Sequence, residues 1–116
     1  MRHSYGNRKL SKATDQRLAL LRSLVRSLFL HGKIKTSLAR AKQAKRSAEK
    51  MISLAQKNDL FSRRKAEAFF GEKAIVTHMF KLLPERFEGR AGGYTRITRV
   101  GFRRGDAAPL VLLELI

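Results

Sequence analysis

Between Lys33 and Ala55 the chain reads KIKTSLARAKQAKRSAEKMISLA, and the chemistry its side chains can do is that of cations. Lys33, Lys35, Arg40, Lys42, Lys45, Arg46 and Lys50 crowd this stretch, and Glu49 is its only acid. Lys42 and Arg46 stand four residues apart, as do Arg46 and Lys50. On a helix each is a like-charge pair costing about 0.2–0.5 kcal/mol. A fold gains nothing from that repulsion, whereas a surface that displaces counterions from a phosphate backbone needs it. An ordinary solvated helix face mixes signs. The stretch therefore points to a polyanion.

Catalytic chemistry is poorly supplied. His3, His31 and His78 have no carboxylate at metal-ligand spacing, and no GxSxG, P-loop or HExxH occurs. The chain has no cysteine, which removes disulfides and thiolate ligands and fits a reducing interior. A ribonuclease site formed by a His and a Lys that meet only in space is the enzymatic alternative. His31 reads more simply as a residue capping helix carbonyls, and His78 as one packed beside the last helix. No catalytic, cofactor-binding or metal-binding residue is assigned, and no cofactor is expected.

The whole composition repeats the message of the basic stretch. In 116 residues, 26 Lys and Arg stand against 9 Asp and Glu, a formal net charge of +17. That is far beyond what solubility requires. The excess sits in residues 1–58, with 15 basic and 2 acidic side chains, against 11 and 7 in residues 59–116. The length suits one domain with a modest core. No apolar run approaches the roughly 18 residues of a membrane span, and the first residues carry no signal-peptide core. A cytosolic protein with no membrane partner and no small-molecule substrate is expected.

The elements that position these cations follow from periodicity. Residues 1–13 carry Arg2, Arg8, Lys9 and Lys12 with no acid, too little apolar surface to order alone. They read as a basic arm that orders in a nucleic-acid groove, with His3 or Tyr5 able to stack on a base. Residues 14–116 read as a single α+β domain. Thr14 and Asp15 open a first helix, whose apolar face is Leu18, Leu21, Leu24, Val25, Leu28 and Phe29, and Gly32 ends it. Arg22 and Arg26 on its other side suit either solvent or phosphate. Ile34 centres a short strand, and Thr36 or Ser37 caps a second helix with a stripe of Leu38, Ala41, Ala44, Ala48, Ile52 and Ala55. A third helix starts at Asn58 or Asp59, and a fourth runs from about Glu72 until Pro84 stops it.

The glycine-bearing loop PERFEGRAGG then leads to a strand from Tyr94 to Arg103, in which slipped alternation predicts a bulge between Arg99 and Gly101. The last run, Leu110 to Ile116, is almost wholly apolar and suits a central strand with cover on both faces. The expected fold has two layers in the order α-β-α-α-α-β-β. Its helices pack on a three-stranded mixed sheet whose central strand is C-terminal. If Leu110, Leu112 and Ile116 show on the far face, they form an apolar patch open to a protein neighbour.

No helix-turn-helix precedes the basic helix, and no RNP-type aromatic strand is present, which leaves shape and phosphate recognition of folded RNA. At this point the chain resembles the bacterial large-subunit ribosomal protein seventeen family over nearly its whole length. The matching residues are Met1-Arg2-His3, Arg8-Lys9-Leu10, Ser27-Leu28-Phe29, Ile34-Lys35-Thr36, Ala41-Lys42, Ala48-Glu49, Gly92-Gly93-Tyr94-Thr95-Arg96, Gly101-Phe102-Arg103, Gly105-Asp106 and Glu114-Leu115. Ser4, Ala39 and Ala91 depart from that pattern, where an arginine and two prolines are usual. The resemblance implies a non-enzymatic structural component of the large ribosomal subunit, bound to ribosomal RNA near the mouth of the exit tunnel and touching neighbouring ribosomal proteins.

The expected RNA contacts are three groups. Arg2, His3, Arg8, Lys9 and Lys12 thread from the arm. Lys33, Lys35, Arg40, Lys42, Lys45, Arg46 and Lys50 grip phosphates from the first strand and second helix, and Arg96, Arg99, Arg103 and Arg104 add a further contact. A nucleoid-type DNA-binding structural protein is the alternative that the same charge would serve.

Overall fold

Small side chains let a helix lie close on a sheet, and the alanine stripe of the basic stretch is where this chain uses that freedom. The computed structural model describes residue 10 and residues 12–116. Its elements are α1 (Thr14–His31), β1 (Lys33–Ser37), α2 (Leu38–Lys57), α3 (Leu60–Phe70), α4 (Lys73–Arg86), β2 (Thr95–Phe102) and β3 (Pro109–Leu115). Ala41, Ala44, Ala48, Ile52 and Ala55 of α2 have no accessible surface. They join Val25, Leu28 and Phe29 of α1, Val76, Met79 and Phe80 of α4, and Val111 and Leu113 of β3 in one hydrophobic cluster.

The three strands lie in the order β1-β3-β2. Both pairings are antiparallel, which corrects the mixed sheet expected from sequence. Three helices and a strand separate β1 from β3, so nothing local fixes their relative direction. Side-chain matching does. The antiparallel register sets Ile34 opposite Leu113 on the helix side and Lys33 opposite Glu114 on the other, joining like with like in the core and opposite charges outside. Along β3, Val111, Leu113 and Leu115 are buried while Leu110, Leu112 and Glu114 are only half-buried, so the helices cover one face and not two. The bulge in β2 falls between Arg99 and Gly101, with Gly101 at φ +145°.

Three local features differ from expectation. The residue capping α1 is Ala13, with Thr14 already helical, and Ser37 stands at the α2 cap without a side-chain hydrogen bond. The apolar face of α1 is buried only in its second half, at Val25, Leu28 and Phe29, while Leu18 is 50% exposed. Helix α4 passes through Pro84 and ends at Arg86. Proline there removes one hydrogen bond of the last turn, and burial of Leu83 and Phe87 on either side of it holds the turn helical.

Gly32, at φ +81°, closes α1 by donating its N–H to Leu28 O at 2.7 Å. Asp59 caps α3 by accepting from Ser62 N–H at 2.7 Å. Arg22 and Arg26, open between solvent and phosphate in the sequence, stay at the surface but bond within the chain. Arg22 Nε donates to Phe69 O at 2.7 Å, and Arg26 Nε pairs with Glu72 at 2.7 Å, holding that carboxyl below the usual glutamate range. Together they tie α1 to the α3–α4 junction.

Candidate nucleic-acid interface

Strand β1 passes into α2 without a loop, since Ser37 ends one and Leu38 begins the other. The helix must double back over the sheet. With its alanine stripe against the core, Lys42, Arg46 and Lys50 are left exposed on the opposite side, one above the other at about 6 Å per step of four residues. Arg40 is also exposed, and Lys45 is half-buried.

Glu49, the only acid of α2, is turned away from this ridge. Its Oε1 accepts from Tyr94 N–H at 3.0 Å and from the Thr95 hydroxyl at 3.2 Å. Gln56, two turns on, donates to Phe87 O at 2.7 Å and accepts from the Tyr94 hydroxyl at 2.8 Å. Glu49 thereby anchors the start of β2 to α2, and the solvent face of the helix is left to its cations. Sequence reasoning missed this role. The signal was available: one acid among so many cations implies a partner of its own.

The other assigned cations fall into two sets. Lys33 and Lys35 are exposed on the outward side of β1. Lys33 faces Glu114, which also binds Arg96 at 2.9 Å. Arg103 Nε donates to Asp106 at 3.1 Å, and that contact, with the Ala108 N–H behind it, lowers the Asp106 pKa from 3.8 to about 2. Arg96 and Arg103 thus each already hold an acid. Lys33, Lys35, Arg40, Lys42, Lys45, Lys50, Arg99 and Arg104 have no carboxylate within ion-pair distance among the described residues. Lys12 is half-buried just ahead of α1, while Arg2, His3, Arg8 and Lys9 lie outside the described residues.

His31 and His78 both line a depression of about 230 Å³. Its other walls are mostly apolar, from Phe29, Leu30, Met79, Leu82 and Leu115, with no carboxylate among them. Arg86 in the same wall donates to the carbonyls of Ile116 and Leu115 at 3.0 and 3.2 Å. Among the described residues no group of three His, Asp or Glu could hold a metal ion, and no helix is long and apolar enough to cross a membrane.

Known proteins with this sequence pattern decide the family. Residues 20–116 match the family model for ribosomal protein L17. The chain belongs to the ribosomal protein L17 family. Among its relatives is the large ribosomal subunit protein bL17 of Heliobacterium modesticaldum, 50% identical over 109 residues, 94% of this chain and 97% of the relative. That of Pelobacter propionicus is 49% identical over 116 residues, 100% of this chain and 91% of the relative. A Clostridium botulinum relative is 50% identical over 111 residues, 96% and 98% of the two chains. The family is one of structural, non-enzymatic ribosomal components, and it lends no support to a nucleoid DNA-binding role.

Proposed function

We propose that this protein is a structural constituent of the large ribosomal subunit that holds folded ribosomal RNA through phosphates and shape, in the cytoplasm where ribosomes work. The observation that carries the reading is the cationic ridge of Lys42, Arg46 and Lys50 on a helix whose one acid is turned to the sheet. Lys33, Lys35, Arg40 and Lys45 extend the grip along β1 and α2. Arg99 and Arg104 add a contact from the β2–β3 hairpin, with Arg96 and Arg103 sharing their guanidinium donors between acid and phosphate. The arm residues Arg2, His3, Arg8, Lys9 and Lys12 thread into the RNA and order there. The half-buried leucines Leu110 and Leu112 on the outward sheet face suit a neighbouring ribosomal protein. The family resemblance extends the proposal to a place near the mouth of the exit tunnel.

Sedimentation of tagged protein from a lysate on a sucrose gradient tests this. Co-migration with the large subunit through moderate salt, lost on nuclease treatment, is the expected result. Migration at the top of the gradient, or with the nucleoid, would refute it.

A further inference from the structure

We propose that Phe102 is a stacking platform for an unpaired nucleobase of RNA, with Arg99 and Arg104 holding the phosphates beside that base. The inference rests on the RNA-binding reading and adds to it a base contact that phosphate recognition does not require.

Phe102 is the most exposed large hydrophobic side chain among the described residues, at 72%. Its backbone is nevertheless fixed. It follows the β2 bulge and pairs with Pro109 across the hairpin. The loop beyond it is closed by Arg103 N–H to Ala108 O at 2.8 Å and Ala107 N–H to Arg103 O at 3.0 Å. Asp106 Oδ1 accepts from Ala108 N–H and from Arg103 Nε, each at 3.1 Å. Ala107 is held at φ +55°, a conformation that residues with a Cβ rarely adopt.

A fixed backbone carrying an aromatic ring, which has only two side-chain torsions to order, loses little entropy on binding. An aromatic face so presented stacks a base. Charge complementarity selects the occupant. An apolar protein groove receiving Phe102 would also have to accept Arg99, Arg103 and Arg104, whereas RNA offers a π face and phosphates together. Arg103 is partly neutralised by Asp106, and Arg99 and Arg104 have no carboxylate partner among the described residues.

The chain contains no tryptophan, so Phe102→Trp introduces a single indole at the proposed contact. Titration of that variant with single-stranded adenine octaribonucleotide should quench its emission, and a blunt RNA duplex of equal length should not. With large-subunit ribosomal RNA, Phe102→Ala should bind about 5- to 150-fold more weakly. Phe102→Tyr should restore binding and Phe102→Leu should not, all with unchanged melting temperature because the ring is exposed. Binding without quenching, equal quenching by the duplex, rescue by leucine, or an alanine variant that binds as tightly as the parent would each overturn the platform and leave the RNA-binding reading standing. Failure of the parent protein to bind ribosomal RNA would overturn both.

Discussion

Glu49 accepts two hydrogen bonds from the start of β2, and both donors belong to buried residues, Tyr94 and Thr95. Removing the carboxylate strands the Tyr94 N–H, so Glu49→Ala should destabilise the protein by about 1–3 kcal/mol, read by urea denaturation. The substitution also makes α2 more basic. If Glu49 served only to moderate charge, stability would hold and RNA affinity would rise. Asp106 gives a second residue-scale expectation. Its pKa is depressed in the folded chain, so its contribution to hairpin order is full above about pH 4 and is lost as pH falls toward 2. The protection factor of the Ala108 amide, taken relative to its intrinsic exchange rate at each pH, should fall in that window and stay constant near neutral pH. Asp106→Asn should abolish this pH dependence.

At the scale of the element, α2 answers to two demands on opposite faces. Its core face is small and apolar, so the helix lies close on the sheet; its solvent face is cationic, so it repels itself. Lys42→Ala with Lys50→Ala should therefore weaken binding to ribosomal RNA and reduce the salt slope by about 2. The melting temperature should stay level or rise, since a repulsion of a few tenths of a kcal/mol is relieved. A drop in melting temperature would mean that the lysine stems pack against the fold. The boundaries of this helix were legible in the sequence because an i, i+3, i+4 stripe of alanines admits one orientation. The bulge in β2 was legible for a similar reason, since alternation that slips by one residue needs an extra residue. The continuation of α4 through Pro84 was not legible, because it depends on Leu83 and Phe87 being buried by other elements.

For the molecule as a whole, the proposed binding to ribosomal RNA rests on charge. If about 6 to 8 phosphates are neutralised, log affinity should fall against log salt with a slope on the order of −4 to −7, and a slope near zero in filter binding would contradict the interface. The histidines bear on the enzymatic question at this scale. His31 and His78 line the same depression, whose wall is mostly apolar and holds no carboxylate. Incubated ribosomal RNA should stay full length, and a His31→Ala, His78→Ala double variant should bind it unchanged.

What the sequence determined by itself was everything set by short-range rules: which stretches form helices and strands, that the C-terminal run is apolar enough to lie at the centre of a sheet, and that the chain carries a large surplus of positive charge concentrated in its first half. Tertiary structure alone decided the direction of β1 against β3, the exposure of Leu18 and Phe102, and which cations are available. Arg22, Arg26, Arg96 and Arg103 look like Lys42 or Arg99 in the sequence. Only the fold brings Phe69 O, Glu72 and Glu114 to the first three and closes the turn that sets Asp106 against the last. Periodicity records the local environment of a residue, whereas an ion pair or a strand partner depends on segments that meet only when the chain has folded.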